Sequence, residues 1–121
     1  MVSRPMARNN PEQIQQLAWQ RIARIQEQIA QLDYLGSGTL ARRTKLCGRM
    51  GCRCARDPGA RHGPYSEWGR MKNGRLVNRM VSPQQATLVR RAIANYRAAR
   101  RLLRTWEEQT ARIIEALSPR K

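Results

Sequence analysis

Phenylalanine is absent from this 121-residue chain, aromatic residues make up 5% of it, and much of its 40% hydrophobic content is alanine. A thick single core is therefore excluded. A chain of this size with so little large apolar material relies on paired helices, a metal staple or an oligomer. Acidic residues are also scarce, eight against 24 Lys and Arg, for a formal charge of +16. That much self-repulsion in a compact chain implies a large anionic partner, and nucleic acid is the usual one. No apolar run approaches the length of a membrane span, and the first ten residues lack the apolar core of a signal peptide. Three cysteines are an odd number for a secreted disulfide framework. These absences point to a cytoplasmic, reducing setting, with no membrane partner and with thiols free for metal.

What is present is concentrated in one place. Cys47, Cys52, Cys54 and His62, the only histidine, fall within sixteen residues, amid Arg42, Arg43, Lys45, Arg49, Arg53, Arg56 and Arg61. The spacing is C-x4-C-x-C-x7-H. Zinc favours four tetrahedral ligands drawn from thiolate and imidazole, and three Cys with one His form an accepted structural set. Surrounding cations lower thiol pKa values and favour the ligating form. A full set of four protein ligands leaves no place for water, so the expected zinc is structural.

The rest reads as two helices and a hairpin. Asn10-Pro11-Glu12-Gln13 is a helix start, with a side-chain acceptor at the N-cap, Pro at the first position and an acid in the first turn. Ile14, Ala18, Ile22, Ile25, Ile29 and Leu32 then recur at spacings of three and four, until Gly36-Ser37-Gly38 stops the helix. Lys72-Asn73-Gly74-Arg75 sets Asn-Gly between two strand-like runs, Tyr65–Met71 and Leu76–Val81, which puts Met71 opposite Leu76 and Trp68 opposite Arg79. Trp68 beside Arg79 reads first as a cation–π pair closing the hairpin, and second as an aromatic platform for a base or sugar of a single strand. Ser82-Pro83-Gln84-Gln85 is a capping box. The helix after it carries Val89, Ala92, Tyr96, Ala99, Leu103, Trp106, Ile113 and Leu117 on one face. The expected fold is mainly α: two long antiparallel helices bracketing a metal-stapled loop and a short β-hairpin. It forms one domain over 1–121, with a helix over 10–35, a Cys-rich basic loop over 36–63, the hairpin over 64–81 and the second helix over 83–117.

The charge is uneven: +1 over residues 1–35, +9 over 36–81 and +6 over 82–121. On the second helix Arg90, Arg97, Arg100, Arg101 and Arg104 gather in one sector opposite the apolar face. Like charges four residues apart weaken an isolated helix, so such a stripe suggests a partner. With Arg42, Arg43, Arg49, Arg53, Arg70 and Arg79 it forms the expected nucleic-acid surface, for DNA before RNA. Phosphate contacts of this kind position a protein without specifying sequence. No catalytic site is expected: His62 lacks an orienting third group, and the eight acids show no spaced pair fit for two metal ions.

The segment Cys47-Gly48…Cys52-x-Cys54…His62-Gly63-Pro64-Tyr65, with Gly74 at the turn, resembles a small uncharacterised prokaryotic family of unknown function over residues 36–105. The resemblance implies a companion of mobile elements or recombinases. A rival reading follows: a helical adaptor that forms a homodimer and docks on a larger recombinase or nuclease.

Overall fold

A computed structural model describes residues 10–117 of the chain. Helix α1 spans Pro11–Ala30, and helix α2 spans Pro83–Ala116. Between them lie strands β1 (Thr39–Lys45), β2 (His62–Lys72) and β3 (Arg75–Val81), antiparallel in the order β1-β2-β3. Two one-turn 3-10 helices, Arg53–Ala55 and Pro58–Ala60, sit in the β1–β2 connection. The expectation of a mainly α fold, two long antiparallel helices bracketing a loop and a short hairpin, is thus corrected: the described residues hold two α-helices and a three-stranded antiparallel sheet. The strand that sequence reasoning left inside the basic loop is β1. It is an edge strand with Arg42, Arg43 and Lys45 along it, the charged dressing that edges carry. A two-stranded hairpin alone is marginal in water, and pairing of β1 with β2 supplies the third strand.

Both helix starts form as their sequences imply. The Asn10 side chain accepts from the Gln13 N–H at 2.8 Å, and Gln13 Oε1 accepts from the Asn10 N–H at 3.1 Å. Ser82 and Gln85 form the same reciprocal pair at 3.0 and 2.8 Å. Each pair satisfies two N–H groups that a helix start leaves unbonded. Helix α1 ends at Ala30, short of the expected 35, because the next residues find other partners. The Asp33 carboxylate accepts from the Tyr34 N–H and from Arg91 and Asn95 of α2, and the Gly36 N–H donates to the Ala92 carbonyl.

The chain divides into two compact units, one of residues 33–96 and one of the flanking segments; α2 contributes to both. In the first, the sheet register follows the Asn73-Gly74 turn as expected, with Met71 opposite Leu76 and Trp68 opposite Arg79. Both turn residues have positive φ, 53° and 79°, the requirement of a type I′ loop. Close approach also demands glycine at position 38, where a Cβ would run into the Gly69 carbonyl. The buried residues here are Cys54, Ala86, Val89 and Ile93, with Gly69 in the sheet. In the second unit, α1 buries Ala18, Ile22 and Ile25, the middle of its apolar stripe, and α2 buries Ala99 and Gln109. The α2 face departs from its expected membership. Ile93, off the stripe, is buried, whereas Leu103 and Leu117, on it, are 51% and 57% exposed.

Candidate metal centre

The sheet brings the ligand residues together. Lys45 of β1 pairs with His62 at the start of β2, so Cys47 leaves the end of one strand beside the imidazole on the other. The register slips by a bulge between Arg43 and Lys45, which re-aims the strand end. The connection then returns through Gly48 and Gly51, both at positive φ, to a 3-10 turn holding Cys54, with Cys52 as its N-cap. The three Sγ atoms and a His62 ring nitrogen lie within 4.8 Å of one another. Cys52 Sγ is 3.4 Å from His62 Nε2, and Cys54 Sγ is 3.5 Å from Cys47 Sγ.

The hydrogen bonding around the cluster suits thiolates. Backbone N–H groups point at sulfur: Cys47 N–H to Cys54 Sγ at 3.4 Å and Arg49 N–H to Cys47 Sγ at 3.3 Å. The Cys54 N–H and then His62 lower the Cys52 pKa from 9.0 to about 6, which favours the thiolate form that a metal would need. Cys54 is 2% exposed. The Cys47 N–H favours its thiolate, but burial and the neighbouring Cys52 and Cys47 thiols outweigh that bond and raise its pKa. A cation at the centre would reverse this balance, since a metal draws the proton off its ligand. No disulfide links these cysteines. Three Cys and one His at these distances are compatible with a metal site, and no other group of three or more metal-type side chains gathers among the described residues.

The arginines named from sequence divide by partner. Arg43 pairs with Glu67 at 2.5 Å and Arg53 with Asp57 at 3.4 Å. Arg70, not the expected Arg79, lies over the Trp68 ring, 4.4 Å from its centroid. Arg79 faces Trp68 across the β2–β3 pair and is exposed. Arg42, Arg49, Arg90, Arg97, Arg100, Arg101 and Arg104 are exposed as well. Sequence reasoning missed the pairing of Asp33 with Arg91, 2.6 Å at its shortest. Hydrogen bonds from Arg91 and from the Tyr34 N–H hold the Asp33 carboxyl down at about 2. It also missed a cavity lined by Tyr34, Leu35, Trp68, Arg79, Leu88 and Val89.

These features define a small helix-and-sheet protein with a Cys3His cluster in the first strand connection. The chain belongs to the family described as Domain of unknown function (DUF6788), whose profile matches residues 13–91 and so takes in α1, the sheet, the cluster and the start of α2. The description of the family names no activity. No curated protein and no solved structure matches the chain. None of its described helices is long and apolar enough to cross a membrane.

Proposed function

We propose that the chain is a non-enzymatic nucleic-acid-binding module, for DNA before RNA, with its sheet and basic loop stapled by structural zinc. One observation supports the binding reading above the others. Residues 33–96 hold thirteen Lys and Arg and three acids, and each acid, Asp33, Asp57 and Glu67, is engaged by an arginine of the same unit. Ten cations, Arg42, Arg49 and Arg79 among them, are thus left without a carboxylate. On α2, Arg97, Arg101 and Arg104 are exposed and in no ion pair with a described residue. A polyanion would relieve the repulsion through phosphate contacts and release of its counterions.

Fluorescence anisotropy with duplex DNA, single-stranded DNA and RNA probes tests this reading. If about five phosphates are neutralised, the log–log slope of affinity against salt is near −4.5. Substituting Arg97, Arg101 and Arg104 by glutamine flattens it by about two to three units and weakens every sequence alike. Absence of binding to any probe at about 100 µM, weaker than ordinary non-specific contact, refutes it. Zinc is the metal that a Cys3His set suits best, and elemental analysis of untagged protein should return about one zinc per chain.

A second reading has its own observation. Leu17, Trp19, Leu103, Ile114 and Leu117 of the two helices are exposed, and such residues suit an adaptor that dimerises or docks on a larger protein. Gel filtration with and without DNA separates the two.

A further inference from the structure

Within residues 33–96 the first turns of α2, the segment before β1 and one face of the sheet enclose an open cavity of about 320 Å³, at the lower end of the size of small-ligand clefts. Its walls are mainly apolar and aromatic: Tyr34, Leu35, Trp68, Leu88 and Val89, with Arg79 as the cation. Tyr34, Leu35 and Leu88 are 54%, 55% and 45% exposed, so the apolar lining opens to solvent. Trp68 is held rigidly. Its Nε1–H donates to the Ser37 carbonyl at 3.0 Å, and the Arg70 guanidinium stacks on the ring. Arg70 lines a neighbouring hollow that shares Leu35, Gly36 and Trp68 with this cavity, and it is not among this cavity's own lining residues. Trp68 itself is part of the cavity wall.

We propose that this cavity captures a single unpaired base of a bound DNA strand, stacked against Trp68 and Tyr34, with its phosphate on Arg79. The inference rests on the nucleic-acid reading and specifies which part of the ligand goes where. Every base offers a flat apolar face and carries a phosphate one sugar away. An aromatic slot beside an unneutralised arginine matches both, and stacking of this kind tolerates any base. Charge selects among occupants. With all three acids of the unit engaged elsewhere, Arg79 has no carboxylate of its own, and an apolar peptide side chain would leave it unanswered.

The test uses the full chain and two duplex DNA probes that differ only in one extrahelical 2-aminopurine. Stacking contributes enough for about tenfold to a hundredfold tighter binding of the bulged probe, and 2-aminopurine fluorescence falls on binding. The readout is the ratio of the two affinities on each protein, so any loss of general cationic attraction cancels. Trp68→Leu removes the platform. Leu88→Trp, at a half-exposed position, fills the mouth without removing core. Both bring the ratio to about one, with circular dichroism confirming that each variant folds. Equal affinity of the wild type for the two probes, or a preference that survives both substitutions, overturns the base pocket while leaving the cationic reading standing. No binding to either probe overturns both.

Discussion

The two compact units of this chain are held together by different means. The helical unit, from residues 10–32 and 97–117, keeps its order through an apolar stripe: Ala18, Ile22 and Ile25 on one helix and Ala99 on the other. The sheet unit, residues 33–96, buries little beyond Cys54, Ala86, Val89 and Ile93. Its specific contacts are of another kind: three thiols and an imidazole in one cluster, an Asn-Gly turn, the Asp33–Arg91 pair and the Trp68–Arg70 stack. Burial is non-directional and tolerates volume-conserving exchange, whereas ligand geometry does not. One chain therefore contains a region that degrades gradually under mutation and a region that fails at single atoms.

The sharpest way to break this comparison is to remove the proposed zinc. Structural zinc contributes about 10–16 kcal/mol in peptide fingers. Chelation, or Cys54→Ser, should therefore expose residues 39–72 to hydrogen exchange while α1 stays protected and most helical circular dichroism remains. Uniform loss of protection across the chain would mean that the two units do not differ in this way.

The reciprocal experiment is Ile25→Asp. A charge placed at this 5%-exposed position costs about 3–5 kcal/mol, the scale of an unpaired buried charge. Helical signal should fall while the protein still binds zinc stoichiometrically. A smaller effect of opposite sign is expected at Gln109, which is buried and whose Oε1 has no hydrogen-bond partner among the described residues. An unsatisfied buried acceptor costs about 1–3 kcal/mol. Gln109→Met should recover part of that and raise the melting temperature by about 4–8 °C per kcal/mol.

The smallest effect belongs to Asp33, because both it and Arg91 are exposed to screening. Its carboxyl is held near 2, below the ordinary value of 3.8, first by the Arg91 hydrogen bond and then by the Tyr34 N–H. A depressed pKa gives stability that is present above the ordinary value and lost as pH falls through the folded one. The melting difference between wild type and Asp33→Asn should hold steady from about pH 7 to about pH 4 and shrink toward about pH 2.

What could be read from the sequence depended on how far apart the interacting residues lie. Caps at Asn10/Gln13 and Ser82/Gln85 act over three residues, the Asn73-Gly74 turn over four, and the ligand cluster over sixteen, and all of these were legible. The Trp68–Arg79 register was legible too, because a two-residue turn fixes it. Strand β1 was not, since five of its seven side chains are exposed and show no alternation, and its partners lie beyond the Cys-rich loop. The early end of α1 was hidden for the same reason: Asp33 finds Arg91 and Asn95 at separations of 58 and 62 residues. Trp68 was assigned the cation directly across the ladder, but it took the one two residues along its own strand. The periodicity of α2 gave helix but not burial, as exposed Leu103 and buried Ile93 show.

Strand β2 is gripped at both ends, by His62 in the ligand cluster where it begins and by the Asn73-Gly74 loop where it ends. A slip of one residue would carry His62 about 3.3 Å along the strand and turn its ring to the opposite face, away from the three thiols. It would also turn Trp68 to the opposite face. A misaligned sheet could not bring the three thiols and the imidazole together, so, with the zinc proposed above, uptake of the ion would be a proofreading step that admits only the correctly threaded chain.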